Sequence, residues 1–321
     1  MRILILSSIW PETTERLQRE FDCLVSINPA DGEKHRLLAD AEVVIVRSPV
    51  RLDRAALESA RNLKLIIRAG AGLDAIDVPL AKSRGVVVIA VPLSADSVAE
   101  HSIGLLLSVC RRIPQLNHAL RQGRWEKHSG LGIQLSGKTL GLVGFGRIGI
   151  RTAELAKAFR MNLLAHDRSP EKSHKRAAAE RLAVRFLPLD DLFAGSDFIL
   201  IQTPLDETTR GLVDGHRLAL MKATAVLVNV GRGGVVDERS LYDALRGGRL
   251  AGAAMDVFQS EPLSVSGQLG NHPLLSLDNF VATPHVAAQT IDAQRCVGED
   301  VAKIVHAFSS GQSLVGLGIV I

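Results

Sequence analysis

The feature that most restricts how this 321-residue chain can fold is a glycine pattern, Gly144-x-Gly146-x-x-Gly149. An apolar strand pattern ends just before it at Val143, and apolar helical spacing resumes near Ile148. The glycines alone are a weak signal, since turns and helix packing also use them. Their setting between strand and helix gives them weight. Gly144 permits a tight turn, Gly146 lets backbone approach a pyrophosphate, and Gly149 lets helix pack on strand. The helix N-terminus then presents unpaired N–H groups and a partial positive charge to phosphates. The loop, with Phe145, Arg147 and Ile148 between its glycines, is a candidate dinucleotide cradle.

What precedes the cradle also reads as α/β. Short apolar runs at 2–6, 41–47, 63–70 and 85–91 alternate with helical patterns at 12–20, 52–60 and 79–84. Such alternation indicates a parallel sheet covered on both faces. This first domain ends near Val91. A long helix is expected over 97–113, with Ser97 as its cap, Glu100 three residues later and Pro114 beyond its end. A second alternation follows, with strands within 139–145, 162–167, 198–203, 225–230, 250–258 and 279–285, and a last helix over 290–310.

Basic residues exceed acidic ones by only four, and the excess is spread along the chain. A nucleic-acid partner is therefore not expected. Cys23, Cys110 and Cys296 are odd in number and far apart, so neither a disulfide framework nor a metal site is expected. The N-terminal apolar run is too short for a signal peptide, and no stretch is long enough to span a membrane. A cytoplasmic protein is the expectation.

Asp167 stands 23 positions after Gly144 and closes the next predicted strand. A carboxylate there accepts the hydroxyls of an adenosine ribose and repels a 2′-phosphate, which favours NAD over NADP. Its other reading is a turn or cap before Ser169-Pro170. Arg168 beside it is able to pair with a phosphate. Three further residues follow the ends of predicted strands: Arg232, Glu261 and His285. Ligands gather outside the carboxyl ends of strands in an open parallel sheet, so the three are placed to converge. Oxidising a 2-hydroxy acid by hydride transfer requires such a set. An imidazole takes the hydroxyl proton. A carboxylate fixes its tautomer and stabilises the imidazolium. A guanidinium holds the substrate carboxylate. Each residue alone also has an ordinary reading as a turn or surface charge, and their joint placement is what shifts the weight.

The stretches RAGAGLDAIDV, SVAEHSIGLLL, GKTLGLVGFGRIG, TPLDETTRGL, VNVGRGGVVDE and TPHVAAQT occur in one order. Over nearly its whole length the chain resembles the D-isomer-specific 2-hydroxyacid dehydrogenases. The resemblance implies an α/β protein of two doubly wound parallel-sheet domains. A Rossmann cofactor domain (99–288) would be inserted into a flavodoxin-like substrate domain (1–98 and 289–321), with crossings near Ala99 and Ala288. It implies NAD as cofactor, a small 2-hydroxy or 2-keto acid as substrate, and a homodimer to which the segment around Trp125 contributes an arm.

Carried over by motif, His285 is the acid/base, Glu261 its partner and Arg232 the ligand of the substrate carboxylate, the first and last of these also bordering the cofactor. Asp256 matches a position at the nicotinamide amide. Thr203 and Pro204 would line the adenine pocket with Thr209 nearby, and the backbone of Val230 and Gly231 would border the nicotinamide. Gly70, Ala71 and Gly72 match the loop that binds the acid. Within the family the chain is most similar to phosphoglycerate dehydrogenases lacking the C-terminal regulatory domain. Arg47, Ser48 and Arg68 are then candidates for a substrate phosphate or second carboxylate, with salt bridges as the other reading for the two arginines. Ser94 stands where relatives commonly carry Asn, and Ala287 where they carry Gly. Glyoxylate or hydroxypyruvate reduction is the rival activity, and a non-catalytic NADH-sensing adaptor the rival class.

Overall fold

The computed structural model describes residues 1–48, 50–70, 72–92, 94–261, 264–265, 268–269 and 272–320. The chain first lays down β1 (Arg2–Ile5), β2 (Asp22–Val25), β3 (Val43–Val46), β4 (Leu65–Arg68) and β5 (Val87–Ala90). It then builds β6 (Thr139–Val143), β7 (Asn162–His166), β8 (Val184–Phe186), β9 (Phe198–Ile201), β10 (Val226–Asn229) and β11 (Gly252–Met255). A short hairpin, β12 (Ser264–Val265) and β13 (Gln268–Leu269), precedes β14 (Phe280–Ala282), and β15 (Ile319–Val320) comes last.

These strands belong to two compact units, Met1–Ser94 with Ala288–Ile321, and Ala95–Ala287. The helix Ala95–Cys110 starts two residues before Ser97 and goes whole with the second unit, where it packs on β10 and β11. The first division therefore falls at its N-terminus, four residues before Ala99. Arg112 ends the helix region in a left-handed conformation, and a separate helix, Ile113–Arg121, follows.

In the first unit the order is β15-β5-β4-β3-β1-β2, parallel throughout except for the antiparallel β15. Side chains alternate between its two faces. Leu4, Val44, Ile66 and Val88 pack with Leu38, Leu52 and Leu57 on one side. Ile3, Ile5, Ile45 and Ile67 meet Val297, Val301, Ile304 and Val305 of the helix Ile291–Ser309 on the other. Burying those four helix residues contributes roughly 1.5–3 kcal/mol each as an upper bound. The last long helix is thus a structural part of the unit that the first residues begin. The sequence reading missed β2, whose residues alternate between exposed and half-buried at the sheet edge and so show no apolar run.

The second unit has the order β14-β11-β10-β9-β6-β7-β8, all parallel. This is the doubly wound Rossmann arrangement with one further strand, and the order reverses between β6 and β9. The first unit has the flavodoxin-like order. Two doubly wound parallel-sheet units, one inserted in the other along the chain, make up the fold. Among the described residues no helix is long and apolar enough to cross a membrane.

Candidate active site

The glycine loop sits at the reversal point, between the end of β6 and the helix Arg147–Ala158. Gly144 has φ +100°, a region that side chains rarely adopt. A Cβ on Gly149 would stand 2.3 Å from the Gly144 carbonyl oxygen, so only glycine lets this helix start so close to the turn. Gly146 caps the helix N-terminus with nothing within 4 Å of its missing side chain. An open helix terminus cradled by backbone is the shape a pyrophosphate requires. The residues present fit a dinucleotide.

Asp167 follows β7 and ties the loop in place: its Oδ2 accepts from Phe145 N at 2.9 Å and its Oδ1 from Ser169 N at 2.8 Å. Lys175 Nζ lies 2.5 Å from the same Oδ1, a partner that the sequence reading missed. Burial opposes the charge of this carboxyl, yet the Lys175 and backbone donors prevail and hold it below the usual carboxylate range. Arg168 meets Asp206 at 2.8 Å and Thr208 Oγ1 at 3.0 Å. The turn carrying Thr203 and Pro204 is closed by Thr209, whose hydroxyl donates to Pro204 O at 2.7 Å and accepts from Asp206 N at 2.8 Å.

The three candidate residues Arg232, Glu261 and His285 follow adjacent strands of one sheet. Asn229, Met255 and Ala282 are paired in register at the ends of β10, β11 and β14. Arg232, Glu261 and His285 follow three, six and three residues later, so the sheet delivers all three to one edge. His285 Nδ1 lies 2.7 Å from Glu261 Oε2, and Glu261 Oε1 accepts from Phe258 N at 2.8 Å. Because the carboxylate only accepts, the ring proton sits on Nδ1, and Nε2 remains for a reacting proton. Burial works against the Glu261 charge, but the His285 and Phe258 bonds outweigh it and lower its pKa.

His285 itself has φ +55°, which costs a non-glycine residue about 1–3 kcal/mol. Asp256 holds it there. This carboxylate is 0 % exposed. Its Oδ1 accepts from Thr283 Oγ1 at 2.5 Å and Val286 N at 2.9 Å, its Oδ2 from Ala287 N at 2.9 Å, and its backbone oxygen from His285 N at 2.7 Å. His101 on the helix Ala95–Cys110 adds a ring nitrogen 3.0 Å from Thr283 Oγ1. Asp256, expected at the nicotinamide amide, thus spends both oxygens on protein donors. Ala287, in place of the more usual glycine, is one of those donors. Asn229 plays a parallel role after β10, accepting from Gly231 N and donating to the Arg232 carbonyl at 3.1 Å each. Gly231 in turn brings this loop against Thr203, whose backbone oxygen would lie 2.6 Å from a Cβ there. Val230 is buried beside it.

The remaining candidates lie in the first unit. Arg68 is buried and donates to Gly72 O at 2.8 Å and Ser48 Oγ at 2.7 Å, bracing two loops. Gly70 lies against that guanidinium, and Ala71 falls outside the described residues. Arg47 lines a cavity of about 430 Å³ with Ser7, Trp10, Asn28 and Gln294. Its guanidinium donates to Gln294 Oε1, and burial lowers its pKa.

Residues 103–287 match the family model for the NAD-binding domain of the D-isomer specific 2-hydroxyacid dehydrogenases. The chain is 38% identical over 313 residues to a D-3-phosphoglycerate dehydrogenase of Archaeoglobus fulgidus, covering 97% of this chain and 58% of that one. It therefore spans little more than half the length of that relative. It is 41% identical over 299 residues to a hydroxypyruvate reductase of Thermotoga maritima, with 92% and 94% covered. The solved D-lactate dehydrogenase of Aquifex aeolicus, complexed with NAD and lactic acid, superposes with a TM-score of 0.86 at 28% identity, covering 97% of this chain and 96% of that one.

The Asp256 clamp has a measurable signature. Burial opposes its charge, but bonds from His101, Thr283, Val286 and Ala287 win and depress its pKa. A depressed carboxyl contributes stability that is complete above its unfolded pKa of about 3.9 and fades as pH falls through the folded value. Asp256→Asn offers one acceptor oxygen in place of two. It should cost about 1–3 kcal/mol at pH 7 and flatten the fall in melting temperature between about pH 5 and pH 3. Thermal melts across that range read both effects, and an unchanged slope would remove the clamp from the account.

Proposed function

The chain belongs to the D-isomer specific 2-hydroxyacid dehydrogenase family, and we propose that it is an NAD-dependent oxidoreductase interconverting a small D-2-hydroxy acid and its 2-keto acid. One observation carries this reading: His285, held in a left-handed conformation, is paired through Nδ1 with Glu261 at 2.7 Å. In the oxidative direction Nε2 takes the hydroxyl proton of the substrate, and in reduction it returns it. Glu261 keeps the ring in one tautomer and stabilises the imidazolium. Arg232 holds the substrate carboxylate and polarises the oxygen that changes bond order. The loop Gly144–Gly149 and Asp167 would hold NAD, which supplies or accepts the hydride when bound. Asp256, Asn229 and Thr209 position the loops that carry these groups.

A phosphorylated acid is the favoured substrate. Arg47 has no carboxylate within ion-pair distance among the described residues, lines the first unit's cavity and lies beside Ser48. These features support an acidic group as its ligand, and Arg68 acts as a brace for Ser48. Hydroxypyruvate or glyoxylate reduction is the second reading, supported by the 94% coverage of the hydroxypyruvate reductase. Exposed Trp125 (82 %) and Leu131 (89 %), following the exposed Ile113 and Leu120 along the chain, support self-association as a homodimer. The free cysteines support a reducing, cytoplasmic setting.

Three measurements test these assignments. His285→Ala should lower kcat by about 10²–10⁴-fold while leaving NADH affinity within about twofold; loss of NADH binding would make His285 structural. Negligible turnover of the wild-type chain over a 2-keto acid panel, with NADH still bound, would favour the adaptor role. Arg47→Ala should raise KM for 3-phosphoglycerate about tenfold or more and spare glycerate, whereas equal losses on both acids would end the phosphate assignment. Light scattering should give twice the chain's 34.5 kDa, and Trp125→Ser with Leu131→Ser should shift it toward the monomer.

A further inference from the structure

From the sequence alone, Asp167 is expected to repel a 2′-phosphate, with Arg168 beside it able to pair with one. Its surroundings say otherwise. Lys175, only 9 % exposed, projects from the first turn of the helix Ser173–Leu182 to within 2.5 Å of Asp167 Oδ1. Ser169 N occupies the same oxygen at 2.8 Å, and Phe145 N the other at 2.9 Å.

Two consequences follow. A carboxylate oxygen accepts about two hydrogen bonds. Oδ1 is therefore full and Oδ2 has room for one more, so Asp167 is able to receive one ribose hydroxyl rather than two. In addition, the ammonium cancels the carboxylate's charge, and the repulsion that would exclude a phosphate is removed. What remains nearby is basic. From Asp167 to Arg176 the chain carries Arg168, Lys172, Lys175 and Arg176 against Asp167 and Glu171. Arg168 is held by a solvent-exposed bridge to Asp206 and a bond to Thr208 Oγ1, and such exposed contacts are weak and readily exchanged. An ammonium carries three donors, and Asp167 takes one of them.

We propose that the adenosine end of the cofactor site accepts a 2′-phosphate, with Lys175 as the residue that permits it and Arg168 as a second ligand, so that the chain binds NADP(H) as well as NAD(H). This rests on the cofactor site proposed above. It reverses the selectivity expected of Asp167 alone. Lys175 here is a specificity determinant, and it takes no part in proton or hydride transfer.

The test is binding, measured on the full chain without substrate. Fluorescence titration should give Kd values for NADPH and NADH within about tenfold of each other, and calorimetry should detect adenosine 2′,5′-bisphosphate. Lys175→Gln restores an unpaired carboxylate. It should weaken NADPH and the bisphosphate about tenfold or more, and change NADH less than about threefold. Lys175→Arg, which keeps the charge, should retain NADPH binding, and it serves as the second variant should Lys175→Gln fail to fold. Wild-type NADH binding with NADPH excluded by about a thousandfold would overturn the inference. So would an unchanged NADPH-to-NADH ratio in Lys175→Gln, or the loss of NADPH binding in Lys175→Arg. Failure of both dinucleotides to bind would overturn the cofactor site itself, and this inference with it.

Discussion

A single carboxylate shut away from water, Asp256, organises the strand-end edge of the second unit that carries His285. An uncompensated buried charge costs several kcal/mol. Asp256 offsets that with a hydroxyl and two backbone N–H groups, all from residues 283–287. Those donors belong to the loop that carries His285, so satisfying the charge and shaping the loop are one event. The left-handed backbone at His285 persists because leaving it would strand the carboxylate. Glu261 then has a fixed ring to pair with. The geometry of the His285–Glu261 pair is set from beneath, by the residue that follows β11.

Much of this was readable from residues alone, for a definite reason. Strands buried on both faces show as apolar runs, and the residues just beyond them fall at the carboxyl edge of the sheet. Arg232, Glu261 and His285 stand out in that way, and the structure pairs the last two at 2.7 Å. The glycine loop was found because its residue type has no substitute at φ +100° or at a 2.3 Å approach. Lys175, Asp206, His101 and Asn229 were not found. Each is a common polar residue whose role exists only once strand register and helix rotation bring its partner near. Lys175 had a faint signal, eight positions after Asp167 in a basic stretch, but nothing in the string says that it turns inward. Asp256 shows the opposite limit: its position drew notice through the family resemblance, while its internal bonding was visible only in the structure.

The two units use the same doubly wound plan for different ends. In the second, side chains at the strand ends bond with one another or with a neighbouring helix: His285 with Glu261, Asp256 with Thr283, and Asp167 with Lys175 of the helix Ser173–Leu182. In the first, Arg68 braces its own loops through Ser48 and Gly72, while Arg47 lines a cavity. Two arginines twenty-one residues apart, read from the sequence as equivalent, thus have unlike surroundings. Burial with polar neighbours makes one a scaffold, and an open cavity leaves the other available.

The helix Ile291–Ser309 covers a face built by strands that end at residue 90. A ribosome therefore releases the first sheet some two hundred residues before its cover exists. Throughout that interval Ile3, Ile5, Ile45 and Ile67 lack the apolar partners that the helix supplies, while the inserted unit is completed at residue 287, just before the helix begins. The topology thus orders maturation: the middle of the polypeptide is able to settle first, and its two ends must wait for each other.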